Sequence, residues 1–522
     1  MDVIRTDVAV IGGELGGCAA ALALARMGRR VVLTEATRWL GGQLTNQAVP
    51  PDEHPWIEET GATRSYRALR QGIREYYRRH LPLAASARSL PGLNPGNGWV
   101  SRLCHDPRVA VAVLREMLAP HLLNGRLRVL PSHRPISAWT HGDRVTGVLV
   151  RGLESGRNYL LVADLFIDAT PHGELLALAG VEHALGAESR AETGEPHAAE
   201  RADPGAQQAI TVCFAMEHLP GEDHTIDRPC QYELWRSLRP PGWPGCLLDW
   251  TAVRPETHEP LTRGLFVADD GHPWWTFRRI LDRTVFEAGF APSDVTIVNW
   301  PQNDYWFGPV CGVDEVEAAR NLDAARQLSL SLLYWMQTEA PRPDGGVGYP
   351  GLRLRGDVVG GTADGLAPAP YIRESRRIRA ELTVLEQHIA YPLRPDGPAT
   401  FEESVGIGCY RIDLHPRVGG AGYLDLGCWP FQIPLGSLIP VRVENLLPGG
   451  KALGVTHITN GAFRVHPVEW SVGEAAGLLA AFCLERHVPP RQVRARGSLR
   501  EELQALLVRE GIELAWPALM PV

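Results

Sequence analysis

Residues 7–42, DVAVIGGELGGCAAALALARMGRRVVLTEATRWLGG, leave the chain few ways to fold. Residues 7–11 mix β-branched and small side chains, as a buried parallel strand does. Gly12, Gly13, Gly16 and Gly17 follow as a tight turn, and residues 18–26 are Ala/Leu-rich helix formers. Gly28 stands where a left-handed residue closes a helix. Residues 30–33 read as a second strand, with Glu35 just past its end. This order predicts a βαβ crossover. Its helix N-terminus would face a pyrophosphate, and Glu35 would accept hydrogen bonds from an adenosine ribose.

The glycine pair Gly41-Gly42 lies just beyond Glu35. A pair at that offset is similar to the extended fingerprint of FAD-binding flavoproteins, in which the cofactor threads past a second tight turn. One position departs from the pattern. The second glycine of the turn, which lets the backbone approach the phosphates, is here Glu14. A side chain there is expected to point away from the phosphates, because a nearby carboxylate would repel them.

Length and composition fit a globular protein. The 522 residues suit two large domains, and 44% of them are hydrophobic. A net charge of −8 gives no reason to expect nucleic acid or an anionic membrane as partner. The nine cysteines include no CxxC pair, so neither an iron–sulfur nor a metal site is expected. No basic-then-apolar leader precedes Asp7, and no apolar run reaches membrane-spanning length. The expectation is a soluble, cytoplasmic protein.

Residues 65–80 place Tyr66, Leu69, Ile73 and Tyr76 on one helical face. Asp106 as N-cap and Pro107 open a second helix, to about residue 118. The glycine-rich loop 94–104 between them could line a pocket or be a surface excursion. Residues 125–166 read as short strands broken by turns and end in IDATPHGELLALAGV. Ala169-Thr170, at the end of a strand and before a helix, resembles a second flavin fingerprint, with Pro171 in place of its usual glycine. Asp168 could contact cofactor or cap that helix.

A substrate-side region begins near residue 212. Seven of the fifteen tryptophans fall between Trp235 and Trp306. With Asn303 and Asp304 they could form a platform for a sugar or another flat polar ligand, or simply fill a core. Residues 314–340 read as a long helix with Val316, Ala319, Leu322, Leu332, Leu333 and Met336 facing inward. Residues 341–370 read as a loop. Residues 371–389 read as a basic helix carrying Arg373, Arg376, Arg377 and Arg379, and a strand follows with Arg411, Asp413 and His415. Residues 445–451 read as a strand and tight turn, followed by the segment NGAFRVHP and a helix over 467–484. Gly473 and Gly477 leave that helix a smooth face for close packing, and Ser498 with Glu501 forms a capping box on a tail helix.

The phrases GGQLTNQAVPPDEHPW, LNPGNGWVSRLCHDPRVA, VNWPQNDYW, APYIRESRRI, VGIGCYRIDLHP and THITNGAFRVHPVEWSVGEAAG resemble those of a family of bacterial FAD-dependent oxidoreductases. That family is distantly similar to the flavoprotein subunits of fumarate reductase and succinate dehydrogenase. The resemblance implies noncovalent FAD in an α/β, Rossmann-like domain split in sequence, with an inserted α+β substrate domain. The division expected is 1–182 (with a helical insertion over about 46–124), 183–440, 441–488 and a helical tail over 489–522. The cofactor-contacting set is then Gly12, Gly13, Gly17, Glu35, Gly41, Gly42, Ala169, Thr170 and Gly450, with Asn460, Gly461, Arg464, Pro467 and Val468 near the flavin. A helix N-terminus at Pro467-Val468 can stabilise the negative charge of a reduced flavin.

The reaction expected is two-electron hydride transfer on a small polar substrate, with an unidentified electron acceptor. His457 and His466 are the acid/base candidates, because histidine titrates near neutral pH. Arg373 and Arg464 could hold an anionic substrate or the reduced flavin. Each histidine could instead be a hydrogen-bonded structural residue. The alternatives are a flavin monooxygenase and a flavin-binding protein without turnover, and the chain could act as a monomer or a homo-oligomer.

Overall fold

The computed structural model describes residues 2–420 and 422–522. Its central sheet has seven strands. Four run parallel in the order β3 (Leu127–Pro131), β2 (Val31–Glu35), β1 (Asp2–Ile11), β6 (Asn158–Asp168). The first half of β6 carries an antiparallel extension, β5 (Arg144–Gly152) and β4 (His133–His141). The second half pairs instead with β7 (Leu446–Pro448), in parallel, with Leu446 opposite Phe166. Two distant parts of the chain therefore share one sheet. Val8, Ala9, Val10 and Ile11 are fully buried, as a parallel strand covered on both faces must be.

The helix α1 (Leu15–Arg26) follows β1 and is buried along nearly its whole length, which its small side chains permit. It closes at Met27, and the next residue, Gly28, has φ +81°. The helices α2 (Arg64–His80) and α3 (Pro107–Leu123) form as read, α3 capped by Asp106, whose side chain accepts the Arg108 N–H. α3 continues past residue 118 and carries Pro120 in its last turn.

The region between the two sheet segments holds a four-stranded antiparallel sheet, in the order Arg279–Leu281, Val295–Val298, Phe214–His218, Leu352–Leu354. A three-stranded sheet joins Asp304–Tyr305, Ile210–Thr211 and Tyr371–Ile372. The long helix α4 (Glu315–Thr338) is capped by Asp314, whose side chain accepts the Glu317 N–H at 2.8 Å. Its C-terminal half packs Leu328, Leu332, Leu333 and Met336 among the seven tryptophans, so the cluster does fill a core. The predicted stripe fails at its start. Val316 is 80% exposed and Ala319 is exposed, because the first turns project beyond that core.

Three local readings are corrected. Residues 371–389 are not a basic helix: they form strands Tyr371–Ile372 and Arg377–Ile378 and one helical turn, Glu386–Ile389. Arg373 and Arg377 are buried and need carboxylates from separate segments, which an extended chain can reach and one helix face cannot. The segment NGAFRVHP is itself largely helical. Asn460 to Phe463 belong to the helix α5 (His457–Phe463), nucleated by Thr456, whose hydroxyl accepts the Thr459 N–H. The tail helix spans Gly497–Glu510 with Arg496 as N-cap, so Ser498 lies inside it. The loop 341–370 also contributes an edge strand, Leu352–Leu354.

The helix α6 (His466–Arg486) lies directly on α1. A Cβ on Gly473 would sit 2.0 Å from the Gly16 carbonyl oxygen, and one on Gly477 2.7 Å from that of Ala20. The two backbones touch, as the glycine spacing predicts. Among the described residues no helix is long and apolar enough to cross a membrane.

Candidate active site

The turn after β1 is tight enough to exclude any side chain at its first position. Gly12 has φ +102°, and a Cβ there would lie 2.2 Å from the Ala169 carbonyl oxygen. Gly13 donates its N–H to Glu35 Oε2 at 3.0 Å, and Gly41 donates to the Gly13 carbonyl at 2.7 Å. Glu35 is the last residue of β2, and its other oxygen accepts the Thr37 N–H at 2.8 Å. Gly12, Gly13, Glu35, Gly41 and Gly42 thus converge at the C-terminal end of the parallel strands, where open α/β sheets bind ligands.

Glu14 is 3% exposed, and its side chain lies over Gly42, with Oε2 2.1 Å from where a Gly42 Cβ would be. It accepts a hydrogen bond from Gln47 Nε2 at 2.8 Å and stands 3.8 Å from Lys451 Nζ. Lys451 is in turn 3.6 Å from Glu469, which accepts from Gln43. Burial pushes the Glu14 carboxyl up to about 8, against the pull of Lys451 and with the help of Glu469 and Glu35. The shift keeps Glu14 protonated to a higher pH than an ordinary carboxylate, which lessens the repulsion expected at this position. Four buried polar atoms nearby make no hydrogen bond: Lys451 Nζ, Gln43 Oε1, Asn46 Oδ1 and Gln47 Oε1.

At the next crossover Asp168 is turned into its own backbone. It accepts from Thr170 N–H and Oγ1 at 3.0 and 2.7 Å and from Leu176 N–H at 2.9 Å. Of its two readings, the helix cap is the one its contacts support. A cavity of about 60 Å³ lies between Gly12, Glu14, Glu35, Asn46 and Thr170.

A continuous buried network leads away from this turn. Gln43 Nε2 donates to the Arg464 carbonyl at 2.9 Å. Arg464 donates to Tyr371 Oη at 2.7 Å and to Asp413 Oδ2 at 2.8 Å. Asp413 Oδ2 is 3.6 Å from His415 Nε2, and His415 Nδ1 donates to Asp304 Oδ2 at 2.6 Å. The other oxygen of Asp304 accepts from Arg373 at 2.9 Å. Burial alone would raise Asp304, yet Arg373 and His415 hold it below the usual carboxylate range. Asn460 donates to the Arg373 carbonyl at 3.0 Å, and Gly461 packs on the Asp413 backbone, where a Cβ would come within 2.8 Å.

The network ends on a cavity of about 260 Å³ walled by Trp99, Trp274, Phe277, Trp300, Tyr410 and Tyr423. Asp413, His415 and Arg373 also line it. Of the two readings of loop 94–104, the pocket wall is the one seen, through Trp99 and Val100. Trp274 and Trp300 serve both the core and this wall.

The two histidines read from sequence lie elsewhere. His466 is fully buried, accepts the Asp52 N–H at Nδ1 (3.1 Å) and donates from Nε2 to the Val49 carbonyl (3.2 Å). Both ring nitrogens are committed to backbone, and burial pulls its pKa down to about 4. His457 donates from Nδ1 to Glu374 at 3.0 Å and faces a different cavity of about 240 Å³ with His197 and Arg417. Pro467 and Val468 are buried in the first turn of α6, and Gly450 packs against Glu469. Lys451, Glu469, Gln43 and the Asp304–His415 pair went unread in the sequence. Asp413 and His415 were visible as alternate residues of one strand, but no local signal links them to Asp304.

A protein-family model, FAD dependent oxidoreductase, matches residues 7–507. No curated protein matches the chain. Among solved structures, it is similar to a geranylgeranyl bacteriochlorophyll reductase-like protein from Thermoplasma acidophilum. There the identity is 10% over 98% of this chain and 85% of that one, with a TM-score of 0.36. It is also similar to OxyS anhydrotetracycline hydroxylase from Streptomyces rimosus, at 11% identity over 97% and 68%, TM-score 0.34. A third similarity is to L-proline dehydrogenase from P. horikoshii, at 16% identity over 35% of this chain and about a quarter (24%) of that one, TM-score 0.18.

FAD carries a ribose diol, a pyrophosphate and a polar flavin edge, and the residues present have the chemistry to meet each. Glu35 offers a carboxylate, the α1 N-terminus with Lys451 an electropositive end, and Gln43, Asn46 and Gln47 unpartnered amide oxygens. With the family match covering nearly the whole chain, the protein belongs to the FAD-dependent oxidoreductase family and is an enzyme whose cofactor is FAD.

Proposed function

We propose that the protein carries out two-electron transfer between noncovalently bound FAD and a small polar substrate held in the aromatic-walled cavity. The observation that carries this is the single buried network from Gln43, beside the glycine turn, through Arg464 and Asp413 to His415 on the cavity wall. Residues 1–182 and 441–488 would form the cofactor domain and 183–440 the insertion, a division supported by β7 joining the sheet of β1. Glu35 would hold the ribose, and Gly12, Gly13 and Gly17 with Lys451 the pyrophosphate. Gly41, Gly42, Ala169, Thr170 and Gly450 would wall its path. Asn460, Gly461, Arg464 and the Pro467-Val468 turn would face the flavin. The likeness to fumarate reductase and succinate dehydrogenase flavoproteins, a cytoplasmic location and an external electron acceptor belong to the same proposal.

Bound flavin supplies an acceptor for a hydride. The chain supplies the rest. His415 is the histidine that lines the cavity; Asp304 holds its Nδ1, its Nε2 stands 3.6 Å from Asp413, beyond hydrogen-bond distance, and its side chain is 20% exposed. Asp304 fixes the opposite nitrogen as the donor and stabilises the imidazolium formed when Nε2 takes a substrate proton. The acid/base role therefore moves from His466 and His457 to His415. Arg373 becomes a positioning residue that holds Asp304 ionised. Anaerobic titration tests the reading: purified protein should release FAD on denaturation and be bleached by substrate alone. Bleaching only by NAD(P)H, followed by oxygen consumption, would favour the monooxygenase instead.

The raised pKa of Glu14 predicts an FAD affinity that depends on pH. Its folded-state pKa lies near 8, so the side chain is protonated below that value and acquires a charge beside Lys451, Glu469 and Glu35 above it. The dissociation constant for FAD should stay flat to about pH 8 and then rise, by up to about tenfold per pH unit. Glu14→Gln should flatten the profile. A wild-type profile with no rise between pH 8 and 9.5 would contradict this.

A further inference from the structure

The charge on the cavity wall is fully paired. Four arginines line it, and each meets an aspartate. Arg263 lies 2.8 Å from Asp270, Arg278 3.2 Å from Asp52 and Arg373 2.9 Å from Asp304; Arg411 pairs with Asp425. The remaining lining acid, Asp413, is answered by Arg464 behind it at 2.8 Å. Five cations face five anions, and His415 is the one imidazole among the lining residues. An incoming anion would meet a wall with no surplus positive charge: the Nε–H groups of Arg278 and Arg373 are unpartnered, but each guanidinium is already balanced by Asp52 or Asp304. An incoming cation fares no better, because the Arg263 guanidinium already lies over the rings of Trp99 and Trp274 at 5.3 and 5.6 Å.

The remaining surface suits rings that carry hydroxyls. Trp99, Trp274, Trp300, Tyr410 and Tyr423 offer flat apolar faces, while the ion pairs between them offer both donors and acceptors at the edges. The volume, about 260 Å³, falls below the ~300–1,000 Å³ typical of sites for larger ligands. It has room for one ring and its substituents.

Resting on the function proposed above, we infer that the substrate is an uncharged cyclic polyol of monosaccharide size, oxidised at a secondary alcohol. In the step, the carbinol C–H bond breaks and its hydrogen leaves with the electron pair to FAD. The O–H proton passes to His415 Nε2, and C–O becomes C=O. The alcohol loses two electrons and FAD gains them.

Binding tests this separately from turnover. FAD-loaded protein is titrated with three probes, methyl glucoside, methyl glucuronoside and methyl glucosaminide, and binding is followed calorimetrically under anaerobic conditions. The neutral glycoside should bind best, with the anionic and cationic probes each about tenfold weaker or more. Asp425→Asn leaves Arg411 unanswered and should shift preference towards the glucuronoside; Arg411→Gln, the reciprocal variant, should shift it towards the glucosaminide. Should one variant fail to fold, the other gives the opposite shift. Neutral binding without bleaching supports the substrate class while contradicting the reaction proposed above. The inference is overturned if the glucuronoside or glucosaminide binds as well as the glucoside, or if the glucoside does not bind. Bleaching by an anionic substrate alone would overturn it too, yet would leave the oxidoreductase reading intact.

Discussion

Replacing His415 with asparagine should slow flavin reduction by substrate about 10²–10⁴-fold, the range for losing a general acid or base, and should leave FAD bound. Three observations combine in this expectation. The ring is the imidazole that borders the aromatic cavity, its Nε2 has no hydrogen bond, and its far side is fixed by Asp304 at 2.6 Å. Asparagine keeps a donor towards Asp304 but cannot take up a proton. His466→Asn behaves differently. It leaves the Asp52 N–H or the Val49 carbonyl poorly partnered in a buried site, costing about 1–3 kcal/mol of stability. Its reduction rate per bound flavin should stay near wild type. Stopped-flow reduction of FAD-saturated variants separates the two, and a normal rate for His415→Asn would remove it from the mechanism.

Gly473→Val should prevent the protein from accumulating in folded form. Its Cβ alone would lie 2.0 Å from the Gly16 carbonyl oxygen, and both partners are backbone, so no side chain can swing aside. Ordinary overpacking costs about 1–3 kcal/mol. Here α6 would have to lift off α1, uncovering the apolar contact that joins the C-terminal helix to the first crossover, against a total stability of about 5–15 kcal/mol. Gly477→Ala, where the clash with Ala20 is milder at 2.7 Å, should fold with a lowered melting temperature. Soluble yield and thermal melting report both. Wild-type melting of Gly473→Val would show that the helices can separate freely.

The parts legible in the sequence are those whose physics is local. A β-branched run, a glycine turn and an Ala-rich helix specify the first crossover within some thirty residues, and the caps Asp106 and Asp314 act within one turn. Gly473 and Gly477 announced a close helix contact, though not its partner. The site was legible only at its glycine-turn end. Asp304, Arg373 and His415 come from three segments and meet through long-range pairing of buried charge, which leaves no periodic trace. The same cause explains the misread of residues 371–389. A run of arginines looks like a solvated helix when the carboxylates that bury it, Glu188 and Asp304, lie far away in sequence. Glu14 was read as a repulsive charge because the burial that raises its pKa comes from distant segments packing around it, which its local sequence does not show.

A crystal structure of the protein with FAD bound tests the central claim most directly. The account predicts the pyrophosphate at the α1 N-terminus beside Lys451, and the flavin ring reaching Arg464 with its reactive edge open to the cavity bordered by His415. A flavin ring directed away from that cavity, with the Gln43–Arg464–Asp413 network closed between them, would contradict it.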